Sequence, residues 1–426
     1  MMDEQIALRF QLVSETAHWR TATVGLTDLE NFASPQAWQA VETYLGLGIR
    51  RHLQELVRTV AFELDAVEAD IRAAGTLVDL QRARRRLQRF RERYLQAETV
   101  LEFYGHAIRS RTTTRLAQML TACDILARQS MAAPLAALGL TPPPVLVYLD
   151  RGLGASILRA HLRYWSGASV SPAAAIKVTR FNLFRPTSLL HEAGHQVAHL
   201  TGWNNELPAM LRRGVPDAAV AELWAGWATE LGPDLLAFAH AGYGAVAALH
   251  DVVAGERTQV FAHPIGDPHP IAWLRVLVGV EMCVRFYGAG PWDTLKQAMI
   301  ATYPLSDAPP SLRSMLERSV AQLPKIVDIG LRSRMRAYGG RALADVVDPV
   351  RVGPAALDDL ARTAGPALTT STHYLTSEGL RLLARSALQV AVYPERAQQT
   401  TQDFEDWMRR LGKLAVAAAA PAASAA

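Results

Sequence analysis

Apolar residues recur at three- and four-residue spacing through residues 35–138, with few glycines and no internal proline before Pro134. That periodicity commits the segment to helices, and apolar faces of such length need a partner surface to bury them. Within it, Arg82, Arg84, Arg85, Arg86, Arg89, Arg91 and Arg93 form a dense basic run around Leu87 and Phe90. A charge block interleaved with apolar residues at helical spacing reads as a solvated helix face. Over the whole chain 44 Lys and Arg stand against 40 Asp and Glu, so the balance does not call for a nucleic-acid partner.

Thr141, Pro142, Pro143 and Pro144 stop the helical pattern, and Val145, Leu146, Val147, Tyr148 and Leu149 follow as a β-rich run. A second extended candidate, 175–181, contains Ile176, Val178 and Thr179 and precedes Pro186. Beyond about residue 309 helical periodicity returns, for example over 311–323 and 377–390, with a turn at Tyr338, Gly339 and Gly340. The expectation is a predominantly helical α+β chain in four segments: a helical N-terminal region (1–139), a catalytic core (140–309), a helical C-terminal region (310–413) and an alanine-rich tail (414–426). The tail has little large apolar surface to bury and reads as disordered. Cys123 and Cys283 lie among apolar residues, which predicts buried thiols and no disulfide framework. The first residues carry Asp3 and Glu4 and lack a basic start followed by an apolar run, so no secretory signal is read. The longest apolar stretches, such as 271–283, are interrupted by Arg275 and Glu281, short of the roughly 18–20 residues of a membrane helix. No membrane span is expected, and cytoplasmic residence is the default.

His191, Glu192, Ala193, Gly194 and His195 form an HExxH pentapeptide in a helical pattern that starts after Pro186, with Thr187 or Ser188 as cap, and stops at Gly202. Histidines at i and i+4 share one helix face, so both imidazoles can reach one Zn²⁺ at about 2.0–2.1 Å. Glu192 then lies beside the open coordination position, placed to take a proton from metal-activated water and pass it to a leaving amine. A structural zinc site is closed by four ligands, usually including cysteine, and neither cysteine is near the motif. An open, catalytic site fits better. Gly194, a poor helix former, predicts the close approach of another helix. For the third ligand, Ala198 and Thr201 rule out the extended metzincin pattern, and His199 sits a further turn along the rod. Glu222 is the leading candidate, on a helix read from Pro216 and Asp217 to Gly232 and Pro233 among small apolar neighbours. Glu206 and Glu230 are the alternatives.

With these motifs the chain resembles the gluzincin metallopeptidases, thermolysin-like in logic, and particularly the family containing HtpX and the CAAX-prenyl protease. His191, Glu192 and His195 match the zinc motif. Glu222 with Ala225 matches a Glu-x-x-Ala-Asp helix, with Gly226 in place of the aspartate, and His269, Pro270 and Arg275 match a downstream His-Pro-x-x-x-x-Arg motif. The resemblance implies a zincin-like core, Zn²⁺ as cofactor, and hydrolysis of a peptide or protein substrate. Zinc amide hydrolysis also needs a donor for the oxyanion, a role read for His269 with Arg275 as its support and with Tyr243 and His263 as rivals. Two other readings are a zincin-fold regulatory protein without turnover, which the intact Glu192 argues against, and a zinc hydrolase of a non-peptide amide.

Overall fold

The computed structural model describes residues 2–152, 155–159 and 171–419. The chain divides into two compact units, one of Met1–Thr113, Leu158–Ala175 and Ala418–Ala426, the other of Thr114–Ile157 and Ile176–Ala417.

The first unit is built on three long helices, α1 (Met2–Thr27), α2 (Ile49–Ala73) and α3 (Leu77–Arg109). On α2, Leu53, Leu56, Val57, Val60, Leu64, Val67 and Ile71 are buried, the stripe that a 3.6-residue period places on one side of a rod. Thr76 and Asp79 close a capping box at the start of α3. Leu87 and Phe90 of the arginine run are buried. Around them, Arg86 pairs with Asp70 at 2.6 Å and Arg93 with Glu63, while Arg91 lies over the Trp19 ring. Part of the basic run is thus an ion-paired face of the bundle.

The second unit begins with α4 (Thr114–Ala136). Strands β1 (Val145–Leu149), β2 (Ser156–Leu158) and β3 (Ala174–Val178) form a small sheet in the order β1-β3-β2. The expected strand at 145–149 is present. The one expected at 175–181 ends at Val178, and Phe181–Phe184 turns into a short 3₁₀ helix. Asp124 of α4 accepts the amide hydrogen of Val147 at 2.6 Å, which ties the sheet to that helix. The helices that follow are α5 (Ser188–Thr201), α6 (Trp203–Gly214), α7 (Ala218–Gly226), α8 (Ala228–Ala241), α9 (Tyr243–Val253), α10 (Ala272–Tyr287), α11 (Pro310–Arg332), α12 (Gly379–Val392) and α13 (Ala397–Ala419). The chain is a helix-dominated α+β fold.

One expected element needs correction. The helix read over 216–233 is two helices broken at Trp227, and Pro233 lies inside α8. The compact units cut the chain differently from the segments 1–139, 140–309 and 310–413. Helix α4 packs on α5, α12 packs on α9, and α11 packs on α10, so both flanks contribute to the body that holds the motif. Helix α13 continues to Ala419, so the first part of the 414–426 tail is helical, while 420–426 lie outside the described residues. Both cysteines are buried and form no disulfide, and among the described residues no helix is long and apolar enough to cross a membrane.

Candidate metal centre and active site

Helix α5 carries the motif. Pro186 and Thr187 lead into it and Gly202 ends it in the left-handed region, φ 76°; Thr187 occupies the cap position without a side-chain capping bond. Leu189, Leu190, Ala193 and Val197 are fully buried. The opposite face holds His191 and His195, with ring centroids 4.8 Å apart. Helix α8 crosses at Gly194. A Cβ at that position would lie 2.6 Å from the Pro233 Cα, closer than side chains tolerate, so the missing side chain sets the distance between the two helices. Gly232 abuts the Trp203 ring in the same way, where a Cβ would meet a ring carbon at 3.2 Å.

That crossing brings Glu230 to the histidines. Its Oε2 lies 3.3 Å from His191 Nε2 and 3.6 Å from His195 Nε2, and His191, His195 and Glu230 form a group able to hold a metal ion. Ligands held tetrahedrally at about 2.0–2.1 Å from one ion stand roughly 3.3–3.4 Å from each other, close to the two Glu230–imidazole separations, and all three ligand atoms lie within 4.8 Å of one another. Glu230 Oε2 is buried and makes no hydrogen bond of acceptable geometry. Its lone pairs and those of the imidazoles converge on a shared point, the arrangement a cation relieves.

Glu222 does not take part. Its carboxylate accepts two hydrogen bonds from Arg212, at 2.7 and 2.8 Å, on the exposed side of α7. The break at Trp227 puts Glu222 and Glu230 on different helices, and only α8 meets α5 at Gly194. Glu206 accepts the backbone N–H groups of Arg336 and Ala337 at 2.9 and 2.8 Å, a structural cap. His199 falls outside the ligand group.

Asp234, one turn after Glu230 on α8, was not read from the sequence. Its Oδ1 is 2.8 Å from His191 Nδ1, which fixes that nitrogen as the protonated one and leaves Nε2 to face Glu230. Arg275 of α10 donates to the same carboxylate from Nε at 2.6 Å and from Nη2 at 2.9 Å. Asp267 serves His269: its Oδ1 accepts the His269 backbone N–H at 3.0 Å and stands 2.8 Å from His269 Nδ1. His269 Nε2 reaches to 3.3 Å from Glu230 Oε2, so this residue stands at the mouth of the metal group. Tyr243 packs against Trp292 and His263 against Trp227, and neither joins the cluster. A signal for Glu230 and Asp234 was present in the sequence, since two acids at i and i+4 share a helix face as the two histidines do.

Charge and burial act together here. Burial alone would lower the His191 pKa, but the Asp234 and Glu230 carboxylates raise it to about 9 in the metal-free protein. Burial would raise Asp234, yet Arg275 and His191 hold it at about 2. Against its own burial, Glu230 is held well below the usual carboxylate range by the imidazoles of His191, His195 and His269. Burial pushes the Glu192 carboxyl up, opposed by His191 and His195. Glu192 lines a cavity of about 240 Å³ together with His191, Asp234, His269 and Arg275.

The His-Glu-x-x-His spacing on one helix, completed by a glutamate from a second helix, is consistent with an HExxH-type gluzincin site. Comparison of the chain with protein-family models, curated proteins and solved structures finds no match.

Proposed function

We propose that the protein is a zinc-dependent metallopeptidase with a zincin-type core, its ion held by His191, His195 and Glu230. The observation that carries this reading is the convergence of those three ligand atoms beside a buried carboxyl, Glu192, in one cavity. Two imidazoles and one carboxylate are a donor set that zinc favours, and three protein ligands leave a position for a reactant. When bound, zinc supplies a Lewis acid that acidifies water and polarises a carbonyl.

The chain's own residues account for the remaining chemistry. Glu192 takes the proton of the attacking water and delivers it to the amine as the peptide C–N bond breaks. Its upward shift brings its proton affinity closer to that of a group working near neutrality. His269, oriented by Asp267, donates from Nε2 to the oxygen of the tetrahedral intermediate. Asp234 holds the tautomer of His191, and Arg275 neutralises Asp234 so that a carboxylate is tolerated in a buried site.

The test is cleavage of a mixed peptide library by zinc-loaded protein, read by mass spectrometry, beside the Glu192→Gln variant. The variant should keep its zinc and lose turnover by about 10²–10⁴, the contribution of general acid–base catalysis. Equal cleavage by the variant would remove Glu192 from the mechanism. Absence of cleavage by the zinc-loaded wild type would refute the peptidase reading in favour of another amide or of no turnover.

A further inference from the structure

Helix α9 has two apolar faces with different fates. Gly244 packs on α12, where a Cβ would lie 2.6 Å from the Ala387 Cβ, and Val246 packs on α10, its side chain 2.8 Å from where a Cβ of Gly279 would stand. Ala245, Ala248, Leu249 and Val252 occupy the i, i+3, i+4, i+7 positions of another face. These four line the same cavity as His191 and Glu192, yet Ala245, Ala248 and Leu249 are only half-buried and Val252 is 37% exposed. Phe238 of α8 and Met282 of α10 complete the apolar walls. An apolar helix face open to a cleft is costly unless something covers it during function. An ion pair between Arg185 and Asp251 holds α9 to the segment leading into α5, so the wall is fixed at its outer end as well as at its base.

We infer that this face of α9 is the specificity wall of the site, and that the cavity receives one large aliphatic or aromatic side chain of an extended peptide substrate. The inference rests on the peptidase reading and names the substrate class it leaves open. Two observations select this occupant. The cavity is continuous with the metal group, so a chain presenting its carbonyl there places a neighbouring side chain against α9. Its volume of about 240 Å³ is below the roughly 300–1,000 Å³ of pockets that enclose a whole drug-sized ligand, a size that suits a single side chain with the main chain left outside. Ala245 and Ala248 set the depth, because any larger residue there would project into the space.

Binding separates this inference from the hydrolytic one. Pentapeptides Ala-Ala-Xaa-Ala-Ala, with Xaa as Gly, Leu or Phe, are titrated by calorimetry into the zinc-loaded Glu192→Gln protein, and the same peptides are offered to the wild type for cleavage. The Leu and Phe peptides should bind about ten- to a hundredfold more tightly than the Gly peptide, the effect of burying one such side chain. Adding Ala248→Phe should bring the Phe peptide to within about threefold of the Gly peptide, with zinc content and Gly-peptide affinity retained. Leu249→Ala, which deepens the cavity and cannot overpack it, should move the preference toward a Trp peptide. Equal or undetectable binding of the Phe and Gly peptides, or a preference unchanged in both α9 variants, overturns the inference. Apolar preference without cleavage by the wild type would instead leave the pocket standing and refute the peptidase reading.

Discussion

Asp234 divides its carboxylate between two partners, with Oδ1 facing His191 Nδ1 and both oxygens accepting from Arg275. Against its burial, Asp234 and, with it, Glu230 raise the His191 imidazole from its ordinary 6.5 to about 9 in the metal-free protein. A base whose pKa is raised by folding contributes stability that is fully present below its unfolded value and is lost as pH rises through the folded value. The metal-free protein should therefore lose melting temperature between about pH 6.5 and pH 9, and Asp234→Asn, which removes the principal charge, should flatten that decline. Thermal unfolding in chelator across this range checks it; a metal-free Tm that rises toward pH 9 would contradict the assigned contact. The motif of His191, Glu192 and His195 was legible because all three residues lie within five positions and one helical period fixes their relation. Asp234 and Arg275 were not legible as a pair, since what joins them is the packing of α8 on α10.

Helices α5 and α8 meet where Gly194 faces Pro233, and that contact sets how far Glu230 reaches. Gly194→Ala puts a methyl group 2.6 Å from the Pro233 Cα, and backbone cannot yield as a flexible side chain can. Overpacking of this kind costs about 1–3 kcal/mol. The variant should unfold at lower denaturant and bind zinc more weakly, measured by urea titration and chelator competition; unchanged values in both would show that the crossing does not control the site. The sequence signalled the approach through the glycine, but the Gly232–Pro233 pair read as a helix stop. Pro233 instead lies in the second turn of α8, so the helix continues through it to Ala241. The break falls at Trp227, which is neither glycine nor proline, and without it Glu222 and Glu230 share one helix in which the exposed member looks as well placed as the buried one. Glu222 has small neighbours in sequence, but in three dimensions its partner is Arg212.

At the scale of the molecule, the motif helix is covered by α4 from the N-terminal side of the sequence, while α9 is backed by α12 from the C-terminal side. The helical character of both flanks was plain from periodicity. That 114–136 of the one and 310–417 of the other belong to the compact unit of the motif was not, because contacts between residues far apart in sequence leave no local pattern. A fragment restricted to residues 141–309 should consequently fail to fold, giving reduced helicity by circular dichroism and rapid proteolysis; a stable, zinc-binding 141–309 fragment would show the flanks to be dispensable. The most direct test of the account as a whole is zinc per chain, measured by elemental analysis on the full-length protein and on the Glu230→Ala and Glu222→Ala variants. One zinc is expected in the wild type and in Glu222→Ala, with loss of stoichiometric zinc in Glu230→Ala. Zinc retained by Glu230→Ala and lost from Glu222→Ala, or no stoichiometric zinc in the wild type, would contradict it.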